Sequence, residues 1–131
     1  MNNMLGMAPG GIEPAYLETY VGTKNADLDK NGKTDAFQIE MRVPCPISMR
    51  VRQLSPFIIT VDEKQFDASD VQLKIRGQVL PSEYLGTIND IWWLLGEKGL
   101  ITVKQKGGLT KGKHKLTMNF GGEILVKEIT M

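Results

Sequence analysis

One cysteine and one histidine are all that 131 residues contain of either type, and that scarcity excludes several chemistries at once. Cys45 has no second thiol for an internal disulfide, and Cys45 with His114 makes no zinc-ligand set. Cys45 lies between Pro44 and Pro46, with no adjacent histidine and no helix terminus to lower its pKa, so nothing marks it as a nucleophile. No apolar run approaches the roughly 20 residues that cross a bilayer. The opening Met1-Asn2-Asn3-Met4-Leu5-Gly6 has neither the basic start nor the apolar centre of a secretory signal, and the expected compartment is the cytoplasm. Charge of one sign is lacking too. A formal net charge of +1 offers no field for nucleic acid or an anionic membrane. Lys104, Lys106, Lys111, Lys113 and Lys115 make a local basic run, which reads as the wet face of an edge strand. There is no serine elbow, no phosphate-cradling loop and no carboxylate pair at a telling spacing.

What the chain does have is alternation. Lys113 to Phe120 places His114, Leu116, Met118 and Phe120 on one side and Lys113, Lys115, Thr117 and Asn119 on the other, as a half-buried strand does. Gly121-Gly122 then separates it from Glu123-Ile124-Leu125-Val126-Lys127-Glu128-Ile129, a strong hairpin signal because both glycines accept positive φ. Ala36 to Val43 alternates with Phe37, Ile39, Met41 and Val43 inward, and Pro44 stops it. Phe57-Ile58-Ile59-Thr60-Val61 ends at the polar turn Asp62-Glu63-Lys64-Gln65, and Val71 to Arg76 ends at Gly77. Pro81 to Leu85 suits a short helical turn. Ile91 to Leu95 and Leu100 to Lys104 bracket Gly96-Glu97-Lys98-Gly99, which reads as a four-residue hairpin loop. Short strands at this spacing predict an all-β fold, an antiparallel β-sandwich of immunoglobulin-like or jelly-roll-like type, in a single domain. Residues 15–131 form that domain, and residues 1–14, with Met4, Met7 and Pro9-Gly10-Gly11, read as an N-terminal arm.

Three features invite a functional reading. Asp27-Leu28-Asp29-Lys30-Asn31-Gly32, with Asp35, has the opening spacing of a calcium loop, but the twelfth position is the neutral Gln38, inside a strand. A turn into that strand explains the same residues. His114 has no carboxylate near it in sequence to orient it as a base, so a packed, hydrogen-bonded role is the plainer expectation. Trp92-Trp93 differs, because neighbours on a strand face opposite ways and only one indole can fill a core. The other is a candidate interface anchor. Arg50 and Arg52, two apart on an extended segment, project to one side, so Arg50, Arg52, Trp92 and Trp93 are the interface candidates.

Several blocks in order also resemble a known family. They are Phe37-Gln38-Ile39-Glu40-Met41-Arg42-Val43-Pro44, Arg50-x-x-x-Leu54-Ser55, Ile59-Thr60-Val61-Asp62, Trp93-x-x-Gly96-Glu97 and Gly107-Gly108-Leu109-x-x-Gly112-x-His114. Together they resemble the small β subunit of bacterial C-glycoside deglycosidases, over about Ala36 to Met118. Cys45-Pro46-Ile47-Ser48-Met49 departs from the pattern, standing where an aromatic pair is expected. The resemblance implies a noncatalytic small subunit with no catalytic, cofactor or metal residues of its own. Its partner would be a larger barrel α subunit holding a divalent metal, manganese or magnesium, and the catalytic base. The implied substrate is a 3-oxo C-glucoside, cleaved at its carbon–carbon glycosidic bond by elimination. The alternative from the residues alone is a non-enzymatic β-sandwich module that binds carbohydrate or protein.

Overall fold

The computed structural model describes residues 19–44 and 47–131. The expected arm at residues 1–14 and Cys45 lie outside the described residues. Strands β1 (Tyr20–Ala26), β2 (Ala36–Arg42), β9 (Lys98–Lys104), β6 (Val71–Ile75) and β7 (Gln78–Pro81) form one sheet in the order β1-β2-β9-β6-β7. A second sheet runs β11-β10-β4-β5, from β11 (Glu123–Thr130), β10 (Lys113–Phe120), β4 (Phe57–Val61) and β5 (Lys64–Gln65). A two-residue ribbon, β3 (Met49–Arg50) with β8 (Trp92–Trp93), stands apart from both. Every pairing is antiparallel, so the molecule is all-β.

The core follows from the alternation. Phe37, Ile39 and Met41 of β2, Leu73 and Ile75 of β6, and Ile101 and Val103 of β9 are buried in one layer. Phe57, Ile59 and Val61 of β4 with Leu116, Met118 and Phe120 of β10 form the other. Burying each such side chain contributes about 1.5–3 kcal/mol of transfer free energy. Three two-residue turns set the hairpin registers: Asp62-Glu63, Arg76-Gly77 and Gly121-Gly122, each with φ positive at both positions. That geometry matches the right-handed twist of the strands it joins. At the last of them the Gly121 N–H donates to Leu54 O at 2.9 Å, seating the hairpin tip on a 3₁₀ turn at Val51–Leu54. The helical turn expected near Pro81 is a second 3₁₀ segment, Ser82–Thr87.

Three expectations need correction. The strand before Gly96 keeps only Trp92 and Trp93 and pairs with Met49 and Arg50, not with β9. Both sides of β9 are taken, by β2 and β6, and the Trp93 ring lies over Gly99 of β9, where a Cβ would come within 2.8 Å of Cζ2. The chain therefore crosses over β9 instead of pairing beside it. The basic run is not an edge face either, since β10, with Lys113 and Lys115, is flanked by β11 and β4. Lys113 instead pairs with Glu128 of β11 at 3.4 Å. Arg52, finally, is not on an extended segment with Arg50, because the chain tightens into a 3₁₀ turn at Val51. Val51 and Leu54 share its buried side, three residues apart, while Arg50, Arg52 and Gln53 are exposed.

Candidate functional site

The register puts two regions at opposite ends of the strands. The ribbon lies beyond Arg42 of β2 and Lys98 of β9, while the Asp27–Asp35 loop and the Gly107–Gly112 loop lie beyond Ala36 and Lys104.

At the ribbon end the two tryptophans divide as their spacing demands. Trp93 is fully buried and donates its indole N–H to Glu97 O at 2.8 Å. Trp92 is 40% exposed, with the Arg50 guanidinium 5.2 Å from its ring centroid. A cation over an indole at an exposed site contributes about 0.5–1 kcal/mol, which biases both side chains toward this pose. Ile47, Leu94 and Leu95 are exposed beside the ribbon, at 64%, 49% and 59%. The segment that carries the two leucines is firmly held. Glu97 accepts from the Leu94 N–H at 2.9 Å and returns its own N–H to Leu94 O, and the Leu95 N–H donates to Ser48 Oγ at 2.8 Å. Arg76 bridges the two halves, contacting both oxygens of the Glu97 carboxylate and donating to Trp92 O at 2.8 Å. The result is a braced, largely apolar face that carries Arg50 over Trp92. The structure brings Arg50 and Trp92 together, places Trp93 in the core and leaves Arg52 on the neighbouring turn. Sequence reasoning missed Arg76, which a type of turn rather than a motif delivers, and missed the exposure of Leu94 and Leu95.

The opposite end is polar. The carboxylates of Asp27, Asp29 and Asp35 approach within 4.8 Å of one another, the one such ligand grouping among the described residues. Their oxygens are turned to the loop itself. Asp27 accepts from the Gly32 N–H at 2.7 Å and the Asn31 N–H at 3.2 Å, and Asp35 accepts from the Leu28 N–H at 2.8 Å. Desolvation raises the Asp27 carboxyl pKa, but the donors from Gly32, Asp29, Asn31 and Lys30 outweigh it and hold the group below its ordinary value. Desolvation holds Asp29 above its own, helped by the neighbouring Asp27 and Asp35 charges. Gln38, where a calcium loop needs its closing carboxylate, lies in β2 and donates to Thr102 Oγ at 3.2 Å. These hydrogen bonds brace the turn, and the position at which a calcium loop carries its closing carboxylate holds the neutral Gln38.

His114 does have a carboxylate partner, supplied by the β4–β5 turn and therefore invisible in local sequence. Its Nδ1 lies 2.5 Å from Asp62 Oδ2, and its Nε2 lies 2.7 Å from Thr110 O. Asp62 Oδ1 also takes the Lys115 N–H at 2.9 Å. The carboxylate favours a donating Nδ1–H, while Nε2 faces the Thr110 carbonyl and, at 3.4 Å, the Thr110 hydroxyl. The Asp62 hydrogen bond, then that of Thr110, raises the His114 pKa, while the Lys115 N–H and then His114 lower that of Asp62. Through these contacts His114 fastens the Gly107–Gly112 loop to the sheet. Asn25 fastens the same loop from the other side, exchanging two hydrogen bonds with the Leu109 backbone at 2.9 and 3.0 Å.

The family model of the C-glycoside deglycosidase beta subunit matches residues 17–124. That span runs from before β1 into β11 and includes the ribbon, the Asp62 turn and the His114 loop. The chain belongs to the C-glycoside deglycosidase beta subunit family. No curated protein matches it. A beta subunit is one part of a deglycosidase and works beside a partner subunit. Among the described residues no helix is long and apolar enough to cross a membrane.

Proposed function

We propose that this beta subunit is the noncatalytic partner in a cytoplasmic, heteromeric enzyme that cleaves the carbon–carbon glycosidic bond of 3-oxo C-glucosides. The observation that carries the reading is the family match over residues 17–124. In the proposed reaction the 3-keto group acidifies the hydrogen on C2, and a base on the larger barrel subunit removes it. The electron pair becomes the C1–C2 double bond, and the C1–aglycone bond breaks with its electrons going to the aglycone carbon, which then takes a proton. A divalent metal in the partner, manganese or magnesium, supplies Lewis acidity toward the developing enolate.

The beta subunit's own part is assembly. Arg50, Trp92, Leu94 and Leu95 form the face offered to the large subunit, with Arg52 at its margin. Arginine and tryptophan are the side chains most enriched in interface hot spots. Trp93 contributes from beneath, by packing. Alanine at Arg50 or Trp92 is expected to weaken the complex by about 2 kcal/mol, roughly thirtyfold in affinity. Titration calorimetry against the co-expressed large subunit measures this, with circular dichroism as the folding control. Unchanged affinity in both variants, or affinity lost only in a variant that has unfolded, would remove this face from the interface.

A further inference from the structure

β11 is an edge strand of the four-stranded sheet, eight residues long and paired to β10 without a register break. The phase of its ladder can be read directly. Gly112 and Met131 exchange both backbone bonds, at 3.3 and 2.9 Å, so alternate residues back from Met131 turn their N–H and C=O toward β10. Those residues are Ile129, Lys127, Leu125 and Glu123. Ile124, Val126, Glu128 and Thr130 therefore turn theirs outward. Thr130 confirms it, since its N–H donates at 3.2 Å to the hydroxyl of Tyr20 on β1. Tyr20 closes the outer edge at that end, and among the described residues no strand lies along Ile124, Val126 and Glu128. Ile124 and Val126 are also 65% and 55% exposed. A long edge with β-branched residues outward, no proline and no bulge is the kind that natural sheets cover.

We propose that a second copy of this chain covers it, the two β11 strands adding antiparallel across a two-fold axis. The sequence of β11 is complementary to itself in one register, the one centred on Leu125. There Ile124 stands opposite Val126 of the second copy, and the converse holds by symmetry, so each such pair exchanges both backbone bonds. Four β-branched side chains then meet on the outer face. On the inner face Glu123 stands opposite Lys127 of the second copy, again twice, flanking the apolar centre with pairs of opposite charge. The register centred on Val126 instead sets Ile124 against Glu128 and Leu125 against Lys127, apolar against charged. The edge shares no residue with the Arg50–Trp92 face, so its variants test the proposal apart from the assembly reading.

Sedimentation equilibrium of the full chain, 14.6 kDa, tests it over a concentration range reaching millimolar. The wild type is expected to approach twice its monomer mass, and Val126→Lys to remain monomeric. Lys127→Glu is expected to weaken association by about tenfold, through like charges facing each other twice. Glu123→Lys combined with Lys127→Glu is expected to restore it, because the swap rebuilds both pairs only between two copies. Thermal melts followed by circular dichroism verify folding, and Ile124→Lys on the same edge replaces Val126→Lys if the latter has unfolded. A wild type that stays monomeric throughout, a lysine variant that still dimerises, or a double swap that recovers nothing overturns the proposal. So does an edge variant that loses the large subunit while self-association is unchanged, since the edge then receives a strand of that subunit.

Discussion

Trp93 shows how one side chain can organise an end of the molecule. Its ring is fully buried over Gly99, its N–H is held by Glu97, and the ribbon that presents Trp92 depends on it. A methyl group at Gly99 has no room, since its carbon would approach Trp93 Cζ2 to 2.8 Å and Cε2 to 3.1 Å. Gly99→Ala is therefore expected to destabilise the fold by about 1–3 kcal/mol, the usual cost of overpacking, seen as a shift in the urea midpoint. An unchanged midpoint would mean that the indole moves aside freely. His114 makes the second residue-scale case. Its folded pKa is raised above the ordinary 6.5, so its contribution is complete below that pH and is lost as pH rises through the folded value. Asp62 is depressed below 3.8, so its contribution is complete above that pH and is lost as pH falls through the folded value. The melting-temperature gap between wild type and His114→Asn is thus expected to be widest between about pH 4 and 6.5 and to narrow on the alkaline side. A gap that stays constant from pH 5 to 9 would show that the ring is neutral in the fold.

At the scale of elements, the strands with clean alternation were legible and the short or unpatterned ones were not. β2, β4, β6, β10 and β11 announce themselves because each has one face on the core and turn residues at its ends. β1 does not, because Tyr20–Ala26 has no fully buried position and carries no period-two signal. β3 and β8 are set by the packing of Trp93 and by the Arg76–Glu97 bridge, contacts between segments that no local pattern records. The same limit governed the functional regions. The Trp92–Trp93 dipeptide stated that one indole would face outward, but which one depended on Gly99. The Asp62 partner of His114 lies 52 residues away in sequence, so only the fold could supply it. The Asp27 loop was legible as a turn because its Asn31-Gly32 and its carboxylates bond the local backbone. Asp27→Ala combined with Asp29→Ala is expected to lower the melting temperature by only a few degrees, as for a surface turn losing about 1 kcal/mol. Calcium is expected to leave the wild type unmoved. A calcium-dependent rise that the double variant lacks would restore the metal reading.

The whole molecule presents a division of labour. Two packed sheets supply stiffness, the braced ribbon offers an apolar face with Arg50 over Trp92, and the loops at the other end are tied down by Asn25, His114 and the carboxylates of their own turn. Membership of the beta subunit family places the chain beside another subunit. The central claim is that catalysis belongs to the complex. It is tested most directly by following release of the aglycone from a 3-oxo C-glucoside by chromatography, in the presence of manganese or magnesium. The isolated chain, the large subunit and the reconstituted complex are compared at equal concentrations. The expected result is no release by the isolated chain and full activity in the complex; turnover by the isolated chain would contradict the account.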